Sequence, residues 1–234
     1  MHRVVETELL DALPAADPRA VASRADLRRL NGIMGHAGIL RKAFLGHYVQ
    51  PSARGQRLHV VELGAGDGTL ALALVRHWSA AGLTGEMTLL DRQNLLLPAT
   101  VQAFSGLGWS VNTVTSDVFD WLEESSPETD LIFANLFLHH FEGQRLEVLL
   151  RQVAARTQLF LACEPRRAPC ALIASRLVGL IGCTAVTRHD AVVSVRAGFA
   201  GRELSALWPA GVGWQLNERA AGMFSHRFVA ARNG

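Results

Sequence analysis

The stretch Val60-Val61-Glu62-Leu63-Gly64-Ala65-Gly66-Asp67-Gly68-Thr69 changes character twice. It closes an apolar run, Leu58–Leu63, of the kind that forms a buried parallel strand. It then breaks into a Gly-x-Gly-x-Gly turn. From Thr69 to Trp78 the apolar residues Leu70, Leu74, Val75 and Trp78 recur at helical spacing. Strand, glycine turn and helix open a nucleotide-binding α/β domain. The glycines let the chain turn sharply and let a ligand approach the main chain. The unpaired N–H groups of the new helix then face that ligand.

The variant of the turn argues against two common sites. A dinucleotide fingerprint needs Gly-x-Gly-x-x-Gly, and position 69 is threonine. A phosphate-binding P-loop needs Gly-Lys-Ser/Thr, and no lysine is present here. A second apolar strand, Glu86–Leu90, ends in Asp91. A carboxylate about 20 residues beyond a glycine turn is where two ribose hydroxyls are bound. The ligand is therefore expected to be a nucleoside cofactor.

Glu62-Leu63-Gly64-Ala65-Gly66-Asp67-Gly68, then Asp91, Asp117-Val118 and Asn135 followed by Leu138-His139-His140-Phe141, resemble the class I methyltransferases that use S-adenosylmethionine. The likeness runs from Glu62 to the C-terminus and is closest to the small-molecule and quinone-biosynthesis group. It implies a doubly wound, mostly parallel seven-stranded α/β sheet, Rossmann-like, ending in a β-hairpin with an antiparallel last strand. It also implies a cofactor-binding set of Glu62, Gly64, Ala65, Gly66, Asp91, Arg92, Asp117, Val118 and Asn135. In that set Asp91 takes the ribose, Asp117 the adenine amino group, and Val118 packs on the ring. Glycine N–H groups and the helix start meet the methionine carboxylate, and acceptors near Gly64 and Asn135 hold the ammonium. S-adenosylhomocysteine is the implied product.

The 234 residues divide into an N-terminal helical extension or lid, 1–56, and a cofactor-binding domain, 57–234. Asp17-Pro18 starts a helix expected to break at Asn31-Gly32, and a second is expected over Ala37–Tyr48. The stretches 187–190 and 196–199 read as loops over the cleft, and 123–129 as a polar loop. Apolar residues are 49% and charged residues 19%, which calls for a packed core. A net charge of +2 without a basic stripe argues against nucleic acid as a partner. Ala171–Val186 is too short for a membrane span and holds Arg176. Three cysteines without a CxxC pair fit a reducing cytoplasm, and no signal peptide is visible. A homodimer contact is an alternative use of the N-terminal helices.

Methyl transfer from a sulfonium is an in-line displacement, so alignment and exclusion of water are the main requirements. A phenolic acceptor gains from a nearby base, and histidine suits that role. His140, His139 and, in the late stretch, His189 are the candidates. Asn135-Leu136-Phe137-Leu138 lacks the Pro-Pro-aromatic of enzymes that methylate base amino groups. Asp190 and Glu164 alone do not make a catechol-type metal site, so no metal is expected. The resulting expectation is O-methylation of a small aromatic or polyketide-like metabolite in secondary metabolism. Three alternatives stand beside it: C-methylation of a quinone-like metabolite, a nicotinamide-dependent oxidoreductase, and a non-catalytic cofactor-binding partner subunit.

Overall fold

A computed structural model describes residues 1–48, 57–124, 128–209 and 213–233. Residues 49–56, which close the N-terminal segment, and the centre of the 123–129 loop lie outside the described residues.

Seven strands form one sheet in the order β3-β2-β1-β4-β5-β7-β6. They are β1 (Leu58–Leu63), β2 (Gly85–Asp91), β3 (Trp109–Thr115), β4 (Thr129–Asn135), β5 (Thr157–Pro165), β6 (Trp214–Ala221) and β7 (Ser225–Arg232). The first five pair in parallel, and β7 pairs antiparallel with β5 and β6. This is the expected doubly wound sheet with its terminal hairpin. Strand order reverses between β1 and β4, so the cleft opens at their carboxyl ends.

Alternation along the strands separates two cores. Val60, Met87, Leu131, Phe133, Leu159 and Val229 face one layer. Helices α2 (His36–His47) and α3 (Thr69–Ala80) pack there, through Leu40, Phe44, Leu74 and Trp78. Val61, Leu63, Ile132, Phe160 and Phe228 face the other. That layer holds α5 (Val118–Glu123), α6 (Gly143–Ala154) and α9 (Glu203–Leu207). The central strands are apolar on both faces because helices cover both. Because Phe44 is fully buried against Trp78, with ring centroids 4.9 Å apart, α2 is part of the core.

Two local expectations are corrected. Helix α1 (Pro18–Met34) runs through Asn31-Gly32 and ends at Gly35, whose φ of 70° provides the left-handed stop. A Cβ at Gly32 would meet nothing within 4 Å, and the helix continues through it to Met34. Residues 187–197 are not a loop. They lie in α8 (Ala185–Ala197), which packs on α1 and on α7 (Pro169–Leu177). Thr187 and Asp190 sit on its buried face, so polar residues interrupt the apolar pattern that would have marked it. The remaining helix, α4 (Pro98–Gly106), flanks β3. No helix of the described residues is long and apolar enough to cross a membrane.

Candidate active site

The glycine turn lies where β1 ends against β4. Gly64, Gly66 and Gly68 all have positive φ, at 69°, 55° and 72°. A Cβ at Gly64 would stand 2.4 Å from Phe137 Cδ2, so an alanine there must displace the ring beyond β4. The loop is tied to β2: Gly64 N–H and Ala65 N–H donate to the Leu90 carbonyl, at 2.9 and 3.1 Å. Asp67 accepts from Thr69 N–H at the start of α3, at 3.1 Å.

Above this turn is a cavity of about 280 Å³. Its floor includes Glu62, Gly64, Ala65, Gly66, Asn135 and Leu136, one wall is the first turn of α3, and Arg24, Leu27 and Arg28 of α1 roof it. Glu62 and Asn135 are only 2% and 8% exposed, yet Glu62 Oε2 and Asn135 Oδ1 have no hydrogen-bond partner. Burial pushes the Glu62 carboxyl well above its usual range, and the charges of Asp67 and Asp91 push it the same way. Leu136 has φ 52°, the one non-glycine positive φ among the described residues. Such a conformation costs about 1–2 kcal/mol and marks the loop as specially shaped.

Asp91 stands at the end of β2, beside a second depression lined by Ala65, Gly66, Gln93, Leu96 and Thr113–Thr115. Its Oδ2 accepts from Gly66 N–H and its Oδ1 from Gln93 N–H, each at 2.9 Å. Each oxygen keeps a lone pair for a further donor. Asp117 caps α5 by accepting from Phe119 N–H at 2.9 Å, and Val118 is buried beneath it. Neither lines the two depressions. Arg92 turns away towards Asp11, 3.7 Å from its carboxylate.

The three candidate histidines do not line the cavity. His139 is buried with both ring nitrogens engaged: Nδ1 is 2.9 Å from Glu164 Oε2 and Nε2 is 3.1 Å from Glu8 Oε1. Burial opposes its charge, but the two carboxylates outweigh it and raise His139 to about 9. Burial would raise Glu8 and Glu164, and their bonds to His139 instead hold both below the usual range. A charged histidine bonded on both sides is not free to take a proton from an acceptor. His140 sits at the rim, its Nδ1 3.4 Å from Asp11 Oδ2. Burial and the neighbouring His139 charge lower its pKa. His189 lies on α8 with Nδ1 2.9 Å from Asp190 Oδ1, and Asp190 also caps the Leu9 and Leu10 N–H groups.

The sequence reading missed two groups. Arg24 and Arg28 belong to α1, where arginines read as a solvated face. The first eight residues carried no signal at all. They form a strap across the turn after β4: Arg3 donates to the carbonyls of Ala197 (2.7 Å), Phe141 (2.7 Å) and His139 (3.2 Å).

Residues 60–158 match the family described as a methyltransferase domain. No curated protein matches the chain in sequence. Among solved structures, an O-methyltransferase family protein from Burkholderia thailandensis is similar at TM-score 0.56 and 18% identity. The alignment covers 94% of this chain and 61% of that one. The plantazolicin methyltransferase, solved with a desmethyl analogue and SAH, reaches TM-score 0.63 at 11% identity, covering 96% and 93%. The mitomycin 7-O-methyltransferase reaches 0.55 at 18%, covering 97% and 61%. This chain thus spans about three fifths of the two O-methyltransferases. At these identities the likeness is one of fold.

Proposed function

We propose a function for a chain that carries a methyltransferase domain on the class I, S-adenosylmethionine-dependent sheet: transfer of a methyl group to the oxygen of a small aromatic or polyketide-like acceptor of secondary metabolism. The observation that carries the cofactor reading is the polar pattern of the cavity. Glu62 Oε2 and Asn135 Oδ1 are buried acceptors without donors. Such atoms are costly unless a ligand completes them. Arg24 and the start of α3 place positive charge on the same cavity, and Arg28 reaches it while paired with Asp67 at 2.7 Å. Acceptors at the floor and cations at the roof fit the ammonium and carboxylate of an amino-acid group. Asp91, on the far side of the glycine turn, would then take the ribose hydroxyls, and Asp117 and Val118 the adenine.

Preference for an oxygen acceptor rests on two of the structural neighbours, which are themselves O-methyltransferases. C-methylation is the competing outcome of an acceptor screen. The part left to the protein is alignment of the acceptor with the sulfonium and exclusion of water. No free imidazole among His139, His140 and His189 lines the cavity, so the acceptor's activation would come from positioning.

Substitution of the roof tests the assignment selectively. Arg24→Ala with Arg28→Ala is expected to weaken S-adenosylhomocysteine about 10-fold or more, the loss of a charge-assisted contact. It should leave 5′-methylthioadenosine, which has no amino-acid group, within about twofold. Equal weakening of both ligands in a competition assay would contradict the placement.

Glu62 provides a second test with opposite signs on stability and binding. Its pKa is raised in the folded protein, so stability is lost as pH rises above about 4.5, the usual carboxylate value, towards the folded-state value. Glu62→Gln removes that loss. Its Tm should exceed the wild-type Tm near neutral pH and converge with it below about pH 4.5, while its affinity for S-adenosylmethionine falls about 10-fold. A variant less stable than wild type at pH 7 would show that Glu62 is paired and has no role awaiting a cation.

A further inference from the structure

The strap and the turn after β4 assemble side chains that methyl transfer does not use. Glu8 Oε1 is 3.1 Å from His139 Nε2, and the His140 ring lies against His139 at 4.3 Å between centroids, tilted by 33°. Asp11 Oδ2 is 3.4 Å from His140 Nδ1. Glu8, His139 and His140 each offer a donor atom, and these atoms all lie within 4.8 Å of one another. Behind His139, Glu164 accepts from its Nδ1 and is itself held by the N–H groups of Phe137 and Leu138, at 3.1 and 2.9 Å.

We propose that Glu8, His139 and His140 form a site for a divalent first-row transition ion of the zinc type, with water in the remaining position. The ion would fasten the N-terminal strap to the turn after β4.

Donor type supports this directly, since imidazole nitrogens with carboxylate oxygens suit zinc and its neighbours. Spacing supports it independently. Two donors on a tetrahedral zinc, with bonds of about 2.0–2.1 Å, stand about 3.3 Å apart. The Glu8–His139 pair, at 3.1 Å, lies close to that value, and the His140 donor atom is within 4.8 Å of both. Metal-bound histidines commonly donate their other N–H to a carboxylate, which fixes the ring. Glu164 occupies that position on His139. The site is also sheltered on one side and open on the other. His139 and Glu8 side chains are 3% and 11% exposed, while His140 and Asp11, at 24% and 34%, form the rim through which an ion would enter. Two groups compete with the ion: the Ser194 hydroxyl donates to Glu8, and His139 Nε2–H, which points at Glu8, must give up its proton to bulk water when the ion binds.

The test uses the full chain stripped with a chelator, then titrated with zinc by calorimetry and with cobalt(II) by absorption. One equivalent should bind with a micromolar or tighter Kd and raise Tm. The cobalt form should show four-coordinate ligand-field bands without thiolate charge transfer. Glu8→Gln and His140→Ala should each weaken zinc at least about 10-fold, and Glu164→Gln about 10–100-fold. His140→Ala, at the rim, serves if Glu8→Gln proves unstable. Failure of stoichiometric binding, affinity unchanged in His140→Ala, or cobalt–thiolate bands would overturn the proposal and leave the cluster an ion-pair clasp. S-adenosylhomocysteine affinity measured on the same samples keeps this outcome separate from the cofactor reading.

Discussion

His139→Ala is expected to destabilise the protein by about 3–5 kcal/mol, the usual cost of removing one partner from a buried ion pair. The physical reason is what the substitution leaves behind. Glu8 and Glu164 face His139 from opposite sides, and Glu164 is fully buried. Without the imidazolium, two carboxylates remain in a poorly solvated pocket without the one cation that is bonded to both, and Arg3 acts on Glu164 only at longer range. For a chain of this length the loss corresponds to a Tm drop of roughly 6–20 °C. The strap should become sensitive to protease first, because Glu8 is one of its anchors. Glu8→Gln in the His139→Ala background should then cost little more, since the two side chains share one network. Thermal melts of the two single variants and the double variant would check this. A drop under about 1 kcal/mol for His139→Ala, or simple additivity, would contradict the account of the clasp.

Asp91→Ala is expected to abolish measurable binding of S-adenosylmethionine while the sheet stays folded. Each charge-assisted hydrogen bond from a ribose hydroxyl is worth about 1.5–3 kcal/mol, so two amount to at least 100-fold in Kd. Asp91 does a second job that adds to the effect. Its carboxylate accepts from Gly66 N–H and Gln93 N–H, so it also sets the shape of the glycine turn. Asp91→Asn separates the two roles, because its one remaining carbonyl oxygen keeps a single acceptor towards the turn. It should bind more weakly than wild type and more tightly than Asp91→Ala. Unchanged affinity in Asp91→Ala, with circular dichroism unaltered, would remove the ribose from this position.

The order in which these residues could be found follows from how local their signals are. Glu62, the glycines and Asp91 sit on one strand–turn–helix–strand unit, and each is marked by short-range chemistry: positive φ, a strand end, a carboxylate. Strands β1 and β2 were legible for the same reason, as short, largely apolar runs on either side of that unit, while the seven-strand sheet came with the resemblance. The clasp was not legible. Glu8 meets His139 across 131 positions, and nothing within reach of either residue announces the other. His139 read as a base because free histidines often are one, and its two carboxylate partners change its chemistry entirely. Helix α8 was hidden by Asp190 and Thr187, polar residues buried because they satisfy partners on the strap and on α1. Arg24 and Arg28 read as surface residues because the cavity they roof exists only once α1 folds back over the glycine turn.

The cavity between the glycine turn and α1 is expected to hold the amino-acid end of S-adenosylmethionine. Calorimetric titration of the purified chain with S-adenosylmethionine and S-adenosylhomocysteine, with NAD as control, tests it most directly. Micromolar binding of the first two and no heat from NAD are expected. Binding of NAD, or silence with all three ligands, would contradict it.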